Sequence, residues 1–539
     1  MTEYTTDSIR NIALVGHGSS GKTTLVEAML FLGKAISRRG TVEEGTTTTD
    51  YDEEERRRQI SLSMAVAPLE WKKTKFNFID TPGYTDFVGE VQSALRASEL
   101  ALVVIDAVAG VEVGTELVWG YAEDDGVPRA VLVNKMDREN ANFDKALASL
   151  TETFDAQFLP LMLPIGAEDS FEGVVNVLER KAYMGPKSTP ADVPAELTDQ
   201  VDDYYTQVVE AAVEADEELM MKYFEDEEIT PEEIANGLRT VVAAGDWVPV
   251  LVGAGGSDTI GLGALLDLLA GLAPSPATAT FEAEGSDEPL PVSDDSPLAA
   301  LVFKTTADPY VGKISTFKVF GGTLSVGDTI YNPRTEETER FSQLYIVRGG
   351  EQISAETLHA GDIGAVTKVE EAQTGDTFCT KANALVLRGP DFPEPLFSVA
   401  ISPISKADTA KMGPTLTRIC EEDPTLEWHQ DSTTGETILS GMGDAHVETA
   451  VRRMKSRFKV ELASKTPKVP YLETVTSEGS SQYRHKKQSG GAGQFAEVHM
   501  RLSPKERDEG FEYAWDVYGG HISTSFGPSI EKGVKQVMT

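Results

Sequence analysis

The sequence predicts a multidomain α/β protein: an α/β domain on a parallel sheet with a helical insert, then a β-barrel, then α+β domains. Three observations carry this. Over residues 8–275, short apolar runs that read as buried strands alternate with stretches of helical periodicity. From Leu298 to about Arg388 the texture changes to short strands punctuated by Phe320-Gly321-Gly322, Val326-Gly327-Asp328, Ala360-Gly361-Asp362 and Thr374-Gly375-Asp376, a spacing that suggests a barrel. The length of 539 residues asks for several domains at ~150 residues each.

In chain order, Ile12-Ala13-Leu14-Val15, Phe76-Asn77-Phe78-Ile79, Leu102-Val103-Val104-Ile105 and Val131-Leu132-Val133 read as buried strands of the first domain, residues 1–275. Each leads into a polar or glycine-bearing loop, and in such sheets ligands bind outside the carboxyl ends of the strands. Residues 180–245 hold an acidic helical insert, strongest over 190–233. Its runs Glu214-Ala215-Asp216-Glu217-Glu218 and Glu225-Asp226-Glu227-Glu228 are either a solvated helix face or a docking surface for a basic partner. Residues 276–297 read as a linker and 298–390 as the barrel. Residues 391–469 form an α+β third domain, its clearest helix following Gly441-Met442-Gly443-Asp444 with Val447, Val451, Met454 and Phe458 on one face. Residues 470–539, glycine-rich at Ser489-Gly490-Gly491-Ala492-Gly493, are left as a partial fourth domain.

Composition narrows the function classes. Lys and Arg number 48 against 87 Asp and Glu, a formal net charge of −39, which disfavours a general nucleic-acid binder while leaving room for a locally basic face. With 40% hydrophobic residues the chain is core-forming, not a disordered acidic one. Its two cysteines, Cys379 and Cys420, exclude a disulfide framework or a cysteine zinc site. The N-terminus is polar, and the richest apolar stretch, residues 260–272, is broken by Asp267, so no segment reads as a signal peptide or membrane span. The expectation is a soluble, cytoplasmic, monomeric protein.

The chemistry lies in three motifs. Gly16-His17-Gly18-Ser19-Ser20-Gly21-Lys22-Thr23 fits G-x-x-x-x-G-K-[ST] between a strand and a helix. Its amides can curl around phosphate oxygens, Lys22 can neutralise the β- and γ-phosphates, and the Thr23 hydroxyl can hold Mg²⁺. Asp80-Thr81-Pro82-Gly83 follows the second of those runs; Asp80 can hold Mg²⁺ through water and the Gly83 amide can meet the γ-phosphate. Asn134-Lys135-Met136-Asp137 ends another strand, and the Asp137 carboxylate can accept both N–H donors of guanine's edge, selecting GTP over ATP. Together the motifs predict a P-loop GTPase domain.

From these residues onward the chain resembles the ribosomal translocase elongation factor G and its paralogues, over essentially its whole length. Residues 43–50 and those that follow resemble the first switch, and the acidic insert resembles an extra subdomain of the GTPase domain. Asp308-Pro309-Tyr310-Val311-Gly312 opens a segment similar to the second-domain barrel. Lys406-Ala407-Asp408, Glu422-Asp423-Pro424 and Gly441-Met442-Gly443-Asp444-Ala445-His446 are similar to third-domain signatures. Lys487-Gln488-Ser489-Gly490-Gly491-Ala492-Gly493-Gln494-Phe495 resembles the start of the fourth, which disfavours a class II release factor. By the resemblance the sequence stops at Thr539 inside the fourth domain, without the distal loops or a fifth domain.

The resemblance implies GTP and Mg²⁺ as cofactors and the ribosome, its RNA and proteins, as partner. It implies nucleotide contacts from His17, Gly18, Ser19, Ser20, Gly21, Lys22, Thr23 and Thr24, from Asp80 and Gly83, from Asn134, Lys135 and Asp137, and from Gly253, Ala254 and Gly255. Thr23, Ser61 and Asp80 are the expected Mg²⁺ ligands, and Lys22, Gly83 and the residue at position 84 the catalytic set. The departures from the family cluster on this chemistry. Its P-loop aspartate is replaced by Ser19; Arg-Gly-Ile-Thr of the first switch becomes Arg58-Gln59-Ile60-Ser61; Ser-Ala of the guanine loop becomes Ala254-Gly255, keeping a backbone donor but losing a hydroxyl. The catalytic histidine becomes Tyr84, and losing such a group commonly costs ~10²–10⁴ in rate, ~3–5 kcal/mol of barrier. The alternative is that the Tyr84 hydroxyl still orients water. His17, beside the phosphates, reads as structural more than as a substitute base.

Residues 451–490 reverse the charge trend. Arg452, Arg453, Lys455, Arg457, Lys459, Lys465, Lys468, Arg484, Lys486 and Lys487 are opposed within that window only by Glu461, Glu473 and Glu478, and the expectation is a basic face for RNA phosphates, against plain solubility. Two functions stand at this stage: a ribosome-stimulated translocase or recycling factor whose hydrolysis is slowed, and a ribosome-binding regulator that barely hydrolyses GTP. A tetracycline-type ribosome protection protein is a third, disfavoured by the insert.

Overall fold

Strand β1 (Ile9–Val15) is buried almost throughout and runs parallel to both β3 (Thr74–Asp80) and β4 (Leu100–Asp106). With β2 (Ala65–Trp71), β5 (Arg129–Asn134), β6 (Gln157–Pro160) and β7 (Trp247–Val252) they form a seven-stranded sheet in the order β2-β3-β1-β4-β5-β7-β6. Only β2 is antiparallel to its neighbour. Near-continuous Val, Ile, Leu and Phe in these strands is what a sheet covered on both faces requires. The four strands expected in the first domain all lie within this sheet. The computed structural model describes residues 4–256, 259–308, 312–469, 471, 473–488, 490–507, 509–519 and 522–538. Among them no helix is long and apolar enough to cross a membrane. Residues 309–311 and Ser489, quoted above in resemblance motifs, lie outside the described residues.

The insert departs from a purely helical one. Before its helices, strands Met162–Ile165, Gly173–Asn176, Lys181–Met184 and Thr189–Ala191 make a four-stranded antiparallel sheet. Strands of three or four residues carry too little alternation to be read from sequence. The three helices Thr198–Val213, Glu217–Phe224 and Pro231–Ala244 follow, the last opened by a Thr230–Glu233 capping box with Pro231 in its first turn. Their acidic runs are largely exposed.

Residues 280–297 are not a free tether. Thr280–Phe281 pairs with Leu290–Pro291, and Ala283–Glu284 pairs with Val386–Leu387. Phe281 and Val292 are buried with Phe320, Leu385 and Leu387. An eight-stranded antiparallel sheet then encloses a core that includes Val302, Phe317, Phe341 and Phe378. A buried polar seam joins this barrel to the first domain: Lys75 donates to both oxygens of Asp362 at 2.7 Å, Lys318 bonds Glu99, and Asn11 donates to Glu99 and to the Gly361 carbonyl.

By contact density the chain divides into two compact units, residues 1–399, 403–428 and 439–463, and residues 400–402, 429–438 and 464–539. The first holds the sheet domain, the barrel and two further helices, Lys406–Glu422 and Asp444–Phe458. The second of these is the helix expected after Gly443, with Val447 and Met454 buried and Val451 and Phe458 partly so. The second unit contains an antiparallel hairpin, Gly479–Lys487 with Gln494–Leu502, and a helix over Gly527–Met538.

Candidate functional site

Strand β1 leads into Gly16, whose φ of +140° is open to glycine, and a Cβ there would stand 2.4 Å from the Val104 carbonyl oxygen. That close pass over β4 turns the chain into the loop 16–21. Gly21 (φ +99°) caps α1 (Lys22–Leu32), so the loop amides collect at a helix N-terminus, where the macrodipole favours an anion. Lys22 is 5% exposed and donates to the carbonyls of Gly16 (2.8 Å) and His17 (3.0 Å). Burial lowers its ammonium to about 8, with Asp80 pulling the other way.

Around Lys22 lie the residues at the ends of β1 and β3 and in the first-switch segment. The Thr23 and Ser61 hydroxyls are 2.9 Å apart. Thr49 donates to Asp80 Oδ2 at 2.7 Å, while Asp80 Oδ1 is buried with no hydrogen-bond partner among the described residues. Burial raises the Asp80 carboxyl above the usual carboxylate range, and burial with repulsion from Asp80 and Glu55 raises Asp50 to about 8. Two hydroxyls, an orphaned carboxylate oxygen and uncompensated buried acid are a donor set that a hard divalent cation satisfies, so these residues fit Mg²⁺. Gly83 is equally constrained: a Cβ on it would be 2.6 Å from Lys22 Nζ and 2.7 Å from Gly18 Cα.

A cleft of about 410 Å³ is lined by Gly18, Ser19, Gly21, Lys22, Thr23, Thr24, Ser61, Gly83, Tyr84 and Lys135 among the expected residues, while Asp80 is buried outside its lining. That is within the ~300–1,000 Å³ of small-molecule sites. Val42, Glu43, Asp50, Ile60, Thr81 and Arg138, none of them expected as a nucleotide, metal or catalytic contact, line it too, together with Gln59, the departure noted in the first switch. Tyr84 is 45% exposed, and its ring faces Gly18, where a Cβ would be 3.4 Å from Cε2 and Cζ. Gln59 ends α2 (Glu53–Arg58) in the left-handed region at φ 58°, the conformation in which a glycine would be relaxed, and its side chain donates to the Glu43 carbonyl at 2.8 Å. A non-glycine residue there costs ~1–2 kcal/mol, which the tie between the two ends of the first-switch segment partly offsets. Ser19 also sits at positive φ, 65°.

Other expected residues lie off the cleft. His17 turns away from it: Nδ1 accepts the Gly114 amide at 3.2 Å, and Nε2 is 3.6 Å from Glu112. Ser20 and Asn134 are buried behind the loop, where Asn134 donates to the Ser20 carbonyl at 2.9 Å. Lys135, which does line the cleft, donates to the Ser19 carbonyl at 2.5 Å and to Asp106 at 2.7 Å. Asp137 is exposed beside Gly256, where a Cβ would be 2.4 Å from its Oδ2. The backbone donor expected from Ala254-Gly255 is already engaged: the Gly253 amide bonds Val133, Ala254 bonds Ile260, and Gly255 bonds Asn134 Oδ1 at 3.1 Å.

Seven of the ten cations expected to form a basic face over 451–490 are paired with carboxylates, while Lys459, Lys486 and Lys487 stay exposed. Arg453 and Arg457 are turned inward onto the first-switch segment. Arg457 bonds Asp52, the N-cap of α2; Arg453 Nε is 3.4 Å from the same carboxylate and its Nη2 donates to Ser63 at 3.1 Å. Arg452 pairs with Glu448, Lys455 with Glu461, Lys465 and Lys468 with Glu436, and Arg484 with Glu497. Most of these acids lie outside the counted window, so the window overstated the free charge.

Comparison with known proteins follows the same division. Family models match residues 7–275 (elongation factor Tu GTP-binding domain), 297–381 (elongation factor G domain 2), 392–466 (elongation factor G domain III) and 467–539 (elongation factor G domain IV). A crystal structure of a Thermus thermophilus protein is 35% identical with a TM-score of 0.88, over 98% of this chain and 78% of that one.

Proposed function

The chain belongs to the elongation factor G-like family of translational GTPases; we propose that it binds GTP with Mg²⁺, acts as a monomer on the ribosome in translocation or recycling, and hydrolyses GTP slowly. The observation that carries this is the convergence of Lys22, Thr23, Ser61 and Gly83 on one cleft at a helix N-terminus, with the buried Asp80 carboxylate acting on Lys22 and bonded to Thr49.

In this reading the loop amides and Lys22 bind the phosphates. Thr23, Ser61 and Asp80 hold Mg²⁺, which when bound supplies neutralisation of charge on the β- and γ-phosphates. Asp137 accepts the guanine N–H donors. Tyr84 occupies the place from which an attacking water is oriented, but a phenol stays neutral near pH 7 and offers no cationic donor to the developing charge. Seating of the first-switch segment on Asp80 through Thr49, and on Arg453 and Arg457 through Asp52, would be the ordered state that docks on the ribosome, and its release the consequence of hydrolysis.

A second reading, a ribosome-binding regulator that barely turns over, is favoured by the Tyr84 ring lying against Gly18. Single-turnover GTP hydrolysis with and without saturating ribosomes tests both. Slow, ribosome-stimulated turnover supports the first, and ribosome binding without stimulation the second. Absence of both GTP and ribosome binding refutes the two together.

A further inference from the structure

Arg39 has no role in the motifs, yet it reaches the loop beside Asp137. Its Nη1 donates to the Gly256 carbonyl at 2.5 Å and its Nη2 to the Gly255 carbonyl. That loop is tied at three amides, and the Arg39 fork adds ties to two of its carbonyls. Gly253, Gly255 and Gly256 give it large backbone freedom, and Ala254 offers no side-chain hydroxyl to brace it. Gly256 lies against the Asp137 carboxylate, and Gly255 packs on Leu25 of α1, where a Cβ would be 2.9 Å from Cδ2.

Arg39 is itself held. The next residue, Gly40, donates its amide to Glu27 Oε1 at 2.8 Å, and Thr48 donates to Glu27 Oε2 at 2.8 Å. Glu27 is 2% exposed on α1, one turn beyond Lys22. A Cβ on Gly40 would stand 2.2 Å from the Thr46 carbonyl oxygen, so segment 40–48 closes on itself over this carboxylate. The guanidinium therefore bridges the base of the first-switch segment to the loop next to Asp137. A fork that spans two carbonyls fixes both distance and orientation, which a single ammonium cannot do.

We propose that Arg39 is a positioning residue for guanine recognition: seated with segment 40–48 on Glu27, it holds loop 253–256 against Asp137, so that the carboxylate is placed for the N–H donors of the base. This rests on the guanine-nucleotide reading above. It makes base retention conditional on the first-switch segment, because Arg39 leaves the loop when that segment lifts from Glu27.

The test is nucleotide binding by the full chain and by Arg39→Ala and Arg39→Lys, with GTP and with the fluorescent 2-aminopurine riboside triphosphate, which lacks the 6-oxygen and the ring N–H beside it. Arg39→Ala should weaken GTP about tenfold, mostly through faster dissociation, and leave the analogue within about twofold, so that the preference for GTP collapses. Arg39→Lys should recover part of it. Thermal unfolding without nucleotide identifies any variant that has failed to fold, and Arg39→Lys then carries the measurement. Unchanged GTP binding in Arg39→Ala, or equal loss of both nucleotides, overturns the proposal. A parent chain that does not prefer GTP to ATP overturns the guanine reading instead.

Discussion

Two adjacent arginines should behave as different kinds of residue. Arg453 is largely buried, its side chain 13% exposed, within reach of Asp52 (8%) and bonded to Ser63; its guanidinium is held above its ordinary pKa because Asp52, Glu55 and Glu422 outweigh the cost of burial. Arg452, one residue earlier, is 41% exposed and pairs with Glu448 one helical turn away. Arg453→Met would leave Glu55 and Glu422 short of a counter-charge in a cavity of about 30 Å³ that gives little room for water. Breaking a buried pair typically costs ~3–5 kcal/mol; Arg457 still bonds Asp52 and Glu422, so the lower end, ~3 kcal/mol, applies. Arg452→Met should cost ~0.3–0.5 kcal/mol, as exposed pairs one turn apart do. The assay is amide hydrogen exchange of the nucleotide-free full chain. The Glu54 amide is capped by Asp52, and the Leu62 and Ser63 amides are bonded to Glu55. Their exchange should speed by ~10² in Arg453→Met and by less than about threefold in Arg452→Met. Equal effects, or parent-like protection in Arg453→Met, would refute the claim that this helix holds the first-switch segment through a buried charge.

Other consequences are separable from that one. Asp137→Asn should weaken GTP and favour a xanthine nucleotide, whose edge carries a carbonyl where guanine has its amino group; unchanged GTP affinity in a titration of both would contradict the assignment. Tyr84→His should raise ribosome-stimulated single-turnover hydrolysis, by up to the ~10²–10⁴ of a lost general catalyst, with GTP affinity little changed; no gain alongside brisk parental turnover would show the phenol to be competent. Burial raises the Glu55 carboxyl to about 7, so its contribution to stability is fully present below the unfolded value near 4.5 and lost as pH rises through about 7. Glu55→Gln, which cannot ionise, should therefore lose less stability than the parent between pH 5 and 8, by up to about 3 kcal/mol, read from urea unfolding at the two pH values; parallel pH profiles would count against it.

The fold class and the geometry of the glycine-rich loop were legible in the residues because both are local. A strand followed by a glycine-rich turn and a helix brings Gly16, Gly21, Lys22 and Thr23 together within a few residues, and the apolar runs of β1, β3, β4 and β5 need no partner to be recognised. Three things were not legible, and each depends on residues far apart in the chain. The charge of 451–490 read as a free basic face because its counter-ions, Asp52, Glu422, Glu436 and Glu497, come from other segments. Gln59 read as the loss of a flexible glycine, whereas the structure places it in the left-handed conformation and ties its side chain to Glu43. Arg39 carries no motif at all; its meeting with Gly255 and Gly256, more than 200 positions later, exists only once α1 and β7 lie in one domain. Pairing of charges, strain at a single φ and clamping of a remote loop are distances in space, and a one-dimensional pattern records distances only along the chain.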